Sequence, residues 1–211
     1  MKIISTNIAQ PTTFSWNGKE ITTGIYKTPT DAPIFLGKED VKGDVVSDRK
    51  VHGGEFKACY LFSLNHYDYW KNLYPNLEWT YGMFGENITV KDLDESQLFI
   101  GDIYKLGNAL VQITQPREPC FKFAHKFGSN TVLKQFIDHG FPGTYVRILE
   151  EGEVKTGDHF TLIESKKDSV SIYDFFKLLY AKEKNENHIN LTLNNVALPQ
   201  NLRKRLAFFL K

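Results

Sequence analysis

Short β-type segments separated by glycine turns occupy most of the first two-thirds of the chain, and this pattern restricts the possible folds. These segments lie at residues 3–8, 20–26, 100–106, 109–114, 145–149 and 159–163. Asn17-Gly18 stands just before the second segment, and such a pair is a strong hairpin signal. Many short strands with glycine-rich turns indicate a β-barrel or a β-sandwich. We expect short helices to interrupt it near 63–73 and 129–139.

The last 45 or so residues have a different, helical pattern. Ser171 and Asp174 resemble a capping box at a helix start. Three stripes at helical spacing follow, and we expect them to be packing surfaces: Ile172, Phe175, Phe176 and Leu179; then Ile189, Leu193 and Val196; then Leu202, Leu206, Phe209 and Leu210. The sequence thus predicts a mainly β domain over residues 1–165 and a small three-helix domain over 166–211.

Composition excludes several classes of protein. Of the 211 residues, 41% are hydrophobic and 24% are charged, which is typical of soluble globular proteins. The net charge of +1 gives no broad basic surface for stable nucleic-acid binding. No apolar run approaches the roughly 18 residues that a membrane helix needs. The N-terminal residues do not resemble a signal peptide, so we expect a cytoplasmic protein without membrane association.

The hexapeptide QPREPC at 115–120 is the strongest chemical signal. Proline fixes its own φ and favours an extended residue before it, so two prolines make this segment stiff. Cys120 ends the segment, and Arg117 and Lys122 flank it with positive charge. Nearby cations favour the thiolate, which is both a nucleophile and a soft metal ligand. A small hydrophobic cysteine in a surface loop is the competing interpretation.

The other cysteine, Cys59, lies in an apolar run and is expected in the core. With two cysteines and no Cys-x-x-Cys pair, the sequence argues against a structural zinc site. Two further segments could bind ligands. His52-Gly53-Gly54, with Lys57 nearby, could present free amides to an anion or form a plain turn. Glu86-Asn87, after Gly85, could bind polar ligand groups or cap their own loop.

The order of these segments carries more information than any one of them. HGG at 52–54, FGEN at 84–87 and QPREPC at 115–120 resemble the MOSC (molybdenum cofactor sulfurase C-terminal) domain family. The likeness is to the YiiM type, in which a MOSC β-barrel carries a C-terminal three-helix extension. The resemblance therefore covers nearly the whole chain and implies a mainly β fold with short helices.

The resemblance implies that Cys120 is the protein ligand to molybdenum in a bound molybdenum cofactor (molybdopterin). Thiolates suit such sulfur-rich metal centres. The cofactor's phosphate needs cations or free amides, for which the candidates are Arg117, Lys122, Lys57, Gly53 and Gly54. Its pterin needs polar partners, for which the candidates are Glu86, Asn87 and Gln115.

The resemblance also implies an oxidoreductase that converts N-hydroxylated compounds, such as hydroxylaminopurine-type bases, to amines in a detoxification role. His52 is the candidate proton donor, and Phe84, Phe121 or Tyr81 could stack on a purine. No flavin, nicotinamide or iron–sulfur motif is visible, so a separate protein would supply electrons.

Two other functions stay open at this stage. Cys120 could be the nucleophile of a metal-free enzyme, with His52 or His125 as base. Alternatively, the chain could carry sulfur or the cofactor without turnover. The terminal helices could serve a partner interface or a homodimer.

Overall fold

The computed structural model of the chain describes residues 1–47 and 53–210, and its elements within them are strands, α-helices and short 3₁₀ turns. The strands are β1 Lys2–Ala9, β2 Thr12–Trp16, β3 Lys19–Thr23, β4 Lys27–Pro29, β5 Ile34–Leu36, β6 Cys59–Ser63, β7 Ile88–Lys91, β8 Ile103–Leu106, β9 Ala109–Pro116, β10 Thr144–Glu150, β11 Gly152–Val154 and β12 Phe160–Glu164. The α-helices are α1 Tyr67–Leu73, α2 Phe121–Phe127, α3 Thr131–His139, α4 Ile172–Tyr180, α5 Glu186–Leu193 and α6 Gln200–Ala207.

One large sheet organises the fold. Its eight strands lie in the order β12-β8-β9-β10-β6-β7-β1-β4, and β5 with β11 and β2 with β3 form two smaller sheets. The β6–β7 pair is parallel, and the other neighbouring pairs of the large sheet are antiparallel. The predicted class, mainly β with short helices and a helical C-terminal part, is therefore confirmed.

The predicted closed barrel is wrong in one respect, because the large sheet has two ends. The outer edge of β1 is divided between two partners. Near its start, the amide of Ile3 donates to the carbonyl of Asp158 over 2.9 Å, and Lys2 forms an isolated bridge with His159. Its last residues pair instead with β4. The amide of Phe160, the first residue of β12, also donates to the carbonyl of Met1 over 3.0 Å. These contacts end at Ile3, so the described part of β12 does not pair with β1 along its length.

The three terminal helices pack against the large sheet. Their buried side chains belong to the same apolar cluster as the strands; among them are Ile172, Phe175, Leu178, Ile189, Leu202 and Leu206. The three-helix prediction is confirmed, but parts of its stripes are wrong. Val196, Phe209 and Leu210 are 68%, 49% and 36% exposed because α5 and α6 end before reaching them. The division after residue 165 stays a prediction.

A second hydrophobic cluster is mainly aromatic and is formed mostly by residues from the middle of the chain. Trp70, Phe84, Phe123, Phe127 and Phe136 are fully or almost fully buried there. The helices predicted near 63–73 and 129–139 are confirmed as α1, with the 3₁₀ turn before it, and α3, and both contribute to this cluster. Helix α2 was not predicted. Among the described helices, none is long and apolar enough to cross a membrane.

Candidate functional site

A cleft with about 630 Å³ of open space lies where the 115–120 segment meets three loops. Its lining comes from segments that are far apart in sequence: 23–27, 44–47, 57–60, 84–87, 117–122 and Tyr145. Cys120, Arg117, Lys122, Lys57 and Asn87 all line it. The fold thus brings five of the predicted site residues to one place.

Cys120 is held at the start of helix α2. Its backbone is extended, with φ of −136°, and its carbonyl accepts the amide of Phe123 over 2.9 Å. The buried face of α2, with Phe123 and Phe127, packs into the aromatic cluster and fixes the helix. Cys120 itself is partly exposed and carries a free thiol. The thiol is therefore both positioned and accessible, as a metal ligand or nucleophile must be.

Arg117 places a buried positive charge in the cleft wall. Its side chain is 6% exposed, and its guanidinium carbon lies 4.5 Å from the centre of the Phe123 ring. Its Nη1 atom is buried without a hydrogen-bond partner among the described residues. A buried donor without a partner costs roughly 1–3 kcal/mol, so this atom indicates a missing acceptor.

Two lysines add positive charge around the thiol. Lys122 is 8% exposed, and its ammonium lies 3.4 Å from the Ser47 hydroxyl. Burial lowers the pKa of Lys57, while the charges of Glu118 and Cys120 oppose that change. The Lys57 ammonium also stands 5.7 Å from the centre of the Tyr145 ring. These two lysines therefore give the cleft that contains the thiol a positively charged lining.

Asp44 is the single carboxylate among the described lining residues of the cleft, and its oxygens already bind other protein groups. Lys27 forms a salt bridge with one carboxylate oxygen. The Asn87 amide donates to the same oxygen over 2.8 Å, and the Ala9 amide donates to the other over 2.8 Å. Asp44 therefore neutralises Lys27 and orients Asn87.

A second cleft of about 770 Å³ borders the first, and Lys57 lines both. Gly53, Gly54 and Gln115 lie there and not beside Cys120, together with Arg205 of helix α6. Gly54 has φ of 88° and ψ of 175°, a conformation that essentially only glycine adopts. The Gln115 amide donates to the Phe56 carbonyl over 3.3 Å. The predicted proton donor His52 falls outside the described residues.

Glu86 takes the second of its two predicted roles and caps its own loop. It is fully buried and does not line either cleft. Its carboxylate accepts the amides of Gly82 and Phe84 over 2.9 and 3.0 Å, and hydroxyl groups of Tyr67 and Thr89 also donate to it. With four protein donors, this carboxylate holds the loop that presents Asn87.

Sequence reasoning missed Tyr60 and Tyr145, which form part of the cleft wall. They are register partners on β6 and β10, with ring centres 5.1 Å apart. Burial raises the pKa of Tyr145; the Arg117 charge opposes this and the Cys120 charge adds to it. Only the strand register could have revealed the pair, because 85 positions separate them.

The three residues predicted to stack on a purine differ in burial and in their position relative to the cleft. Phe84 lines the cleft but is fully buried, stacking on Phe62 at 3.9 Å between ring centres. Tyr81 packs against Tyr67 at 5.8 Å and does not line the cleft. Phe121 is partly exposed beside Cys120. Phe121 does not line the cleft either, so none of the three offers an accessible ring within its lining.

The described lining contains no histidine that could serve Cys120 as a base. His125 faces elsewhere: its Nδ1 is 2.7 Å from the Tyr26 hydroxyl, and its ring stacks on Phe14 at 3.7 Å. Within residues 1–47 and 53–210, no group of three His, Cys, Asp or Glu side chains could hold a metal ion. A metal at this site would therefore need ligands from a cofactor in addition to Cys120.

These observations allow a test of fit for an anionic, sulfur-rich metal cofactor. A single accessible thiol offers one soft protein ligand. The buried Nη1 of Arg117 lacks an acceptor among the described residues, and Lys122 lies in the same wall. Phosphate oxygens would satisfy such donors. The residues present therefore fit a phosphorylated cofactor that brings most of its own metal ligands.

Comparison with known proteins identifies the family. The model of the MOSC domain matches residues 48–161, which is more than half of the chain. The chain belongs to the MOSC domain family. It is also 30% identical to Protein YiiM of Escherichia coli over 146 residues, covering 68% of this chain and 65% of that protein.

Other relatives extend this MOSC assignment. Uncharacterized protein YflK of Bacillus subtilis is 35% identical over 99% of this chain and 93% of its own. A Gibberella moniliformis protein named Reductase is 33% identical over 85% of this chain, but the match spans 31% of that longer protein. The crystal structure of YiiM from Geobacillus stearothermophilus has a TM-score of 0.82 at 31% identity, covering 100% of this chain and 99% of that one.

Proposed function

We propose that this MOSC protein binds the molybdenum cofactor through Cys120 and reduces N-hydroxylated compounds to amines. Its family, its homology to YiiM and a homologue named Reductase support an oxidoreductase. One observation carries the proposal: an accessible Cys120 thiol shares a cleft with the buried Nη1 of Arg117, which has no hydrogen-bond partner among the described residues.

In this proposal, the chain's residues divide the work of holding the cofactor. Cys120 supplies the thiolate ligand from a fixed position at the start of α2. Arg117 and Lys122 receive the phosphate, since both are buried cations in the cleft wall. Asn87, already oriented by Asp44, offers polar contacts to the pterin. When bound, the cofactor supplies the two-electron redox chemistry, and the protein supplies binding and orientation.

Loss of the hydroxyl group as water also needs a proton. His52 stays the candidate from the sequence. Among the described residues, Lys57 lines the same cleft, and burial lowers its pKa, so its ammonium releases a proton more readily than that of an ordinary lysine. Electrons would come from a separate protein, and the reaction would take place in the cytoplasm.

The test compares the two cysteines of the chain. We expect the parent protein from a molybdenum-replete host to carry molybdenum and to convert an N-hydroxylated purine to the amine, given a reducing dye. Cys120→Ser should lose both the metal and the activity. Cys59→Ala should retain both, since Cys59 is a buried core residue.

Two outcomes would overturn the proposal. One is an active parent protein without molybdenum, which would favour Cys120 as a nucleophile. The other is molybdenum binding with no reduction of any N-hydroxylated compound, which would favour a carrier. The nucleophile alternative lacks a histidine base in the described part of the cleft lining.

A further inference from the structure

Helix α6 and the 3₁₀ turn after it form a basic and aromatic surface. Residues 187–211 contain no aspartate or glutamate but four basic residues, Arg203, Lys204, Arg205 and Lys211, although the whole chain has a net charge of only +1. Lys204 and Arg205 are exposed on α6, and Phe208 and Phe209 of the following turn are 70% and 49% exposed. We call these four exposed side chains the α6 surface.

The α6 surface is continuous. Phe208 and Phe209 follow Arg205 by three and four positions, which places them on the same side of a helix end. The Lys184 ammonium supports this side from below. It donates to two carbonyls near the end of α4 over 2.7 and 2.9 Å and lies 5.1 Å from the centre of the Phe209 ring. Exposed rings next to exposed cations are typical of a protein interaction site.

The α6 surface reaches the segment that carries the reactive thiol. Nη2 of Arg205 lies 3.4 Å from a carboxylate oxygen of Glu118, which precedes Cys120 by two positions. Arg205 also lines the second cleft, and that cleft shares Lys57 with the Cys120 cleft. A molecule bound on the α6 surface would therefore stand beside both clefts.

The charge of the α6 surface indicates what binds there. A second copy of this chain would bring the same cations to the contact, which opposes association. A bilayer is a poor partner, because Leu202 and Leu206 of α6 are buried in the core and the helix has no apolar face to insert. An acidic protein surface complements the cations and covers the exposed rings.

We propose that the α6 surface docks an acidic electron-carrier protein of the flavodoxin type, which delivers electrons toward the Cys120 cleft. The inference rests on the proposed reductase function and adds where its electron donor binds and what charge that donor carries. Redox encounters bury little area, so a few side chains suffice. Reduction of R–NH–OH to R–NH₂ consumes two electrons and two protons and releases one water. A carrier that gives one electron at a time therefore docks twice per turnover.

The test compares two electron sources for the full-length, molybdenum-loaded protein. Reduced acidic flavodoxin needs a docking surface, whereas reduced methyl viologen, a small dye, does not. We expect the KM for flavodoxin to rise about fivefold in Lys204→Glu and about tenfold in Phe208→Ser. With the dye, both variants should match the parent. Lys105→Glu makes the same charge change at an exposed position of β8 and should match the parent with both sources.

A second measurement does not depend on turnover. In calorimetric titrations of the purified full-length chain with oxidised flavodoxin, Lys204→Glu should bind about fivefold more weakly than Lys105→Glu. For the parent, raising the ionic strength to about 0.3 M should also weaken binding about fivefold, because salt screens exposed charges.

Three outcomes would overturn the docking surface. They are equal flavodoxin binding in Lys204→Glu and Lys105→Glu, Lys204-dependent binding to phosphatidylserine vesicles in place of flavodoxin, and Lys204-dependent self-association in its place. Dye-driven reduction without flavodoxin binding would overturn the surface and leave the reductase function standing. Lys204-dependent flavodoxin binding without reduction of any N-hydroxylated compound would overturn the reductase function and leave the surface standing.

Discussion

The guanidinium of Arg117 lies 4.5 Å from the centre of the Phe123 ring, so a full positive charge sits on the aromatic core beside the thiol. Tyr60 and Phe136 approach the same guanidinium at 5.6 Å each. Rings stabilise a cation, but they do not accept its directional hydrogen bonds. Among the described residues, the Nη1 of Arg117 has no hydrogen-bond partner, which agrees with the proposed role of Arg117 in holding an anionic ligand.

Replacing Arg117 should separate stability from cofactor binding. In Arg117→Met, a flexible apolar chain fills the space against the same rings. The metal-free variant should lose little free energy of unfolding, because removing the Nη1 donor, which has no partner among the described residues, recovers roughly 1–3 kcal/mol and offsets the lost contacts with Tyr145 and the rings. The molybdenum content should fall strongly. Urea unfolding and metal analysis measure the two effects.

Arg117→Lys is the matched control for charge. Lysine keeps the positive charge but loses the planar fork that can grip a phosphate with two hydrogen bonds. We expect intermediate molybdenum content in this variant. A loss of several kcal/mol of stability in metal-free Arg117→Met would show that the guanidinium is structural.

Glu86 should matter for stability and only indirectly for chemistry. Glu86→Gln replaces a buried acceptor of four hydrogen bonds with an amide whose NH₂ group faces donors. We expect a loss of about 2–4 kcal/mol, since each bond to a charged group contributes roughly 1.5–3 kcal/mol and part is retained. Urea unfolding measures it, with the exposed Glu78→Gln as a control that should change little.

The site was predictable where its signal is local. QPREPC carries a stiff backbone, a thiol and nearby cations within eight positions, so it could be identified as a candidate site before the fold was known. The salt bridge between Lys27 and Asp44 could not be predicted, because nothing in the local sequence of either residue indicates a partner 17 positions away. Glu86 shows the reverse: the motif was recognised, but only packing could show that its carboxylate faces the loop and not the cleft.

The fold was predictable to a similar extent and for similar reasons. Local sequence patterns predicted the three terminal helices and six of the described strands, namely β1, β3, β8, β9, β10 and β12, because side-chain period follows directly from backbone geometry. They could not tell where α6 ends, so Phe209 was assigned to packing although it is 49% exposed. Closure of the sheet depends on how two strands share the edge of β1, which no local pattern encodes.

The predicted capping box at the start of α4 can be tested by measuring how much it contributes to folding stability. The Ser171 hydroxyl accepts the Asp174 amide over 3.0 Å and donates to the Asp174 carboxylate over 2.8 Å. Ser171→Ala should cost about 1 kcal/mol of folding stability. Ser171→Asn, which can still cap, should recover most of it. A neutral Ser171→Ala would mean that core packing alone sets this helix start.

His139 should make the protein less stable in mild acid. Burial lowers the pKa of His139 to about 4, with the charge of neighbouring His66 adding to the effect. The Nε2 of His139 lies 3.2 Å from the Nδ1 of His66, and Tyr69 covers its ring at 4.2 Å. An unfolded histidine titrates near pH 6.5. Between about pH 6.5 and 4, the unfolded chain therefore binds a proton that folded His139 does not.

By linkage, folding stability should fall as the pH drops through this range, and His139 should account for part of the fall. In His139→Gln the group no longer titrates, so the loss of unfolding free energy between pH 7 and 5 should be smaller than in the parent. Urea unfolding at the two pH values measures it. The exposed His159→Gln should keep the parent's slope; an unchanged slope in His139→Gln would show that other groups cause the acid sensitivity.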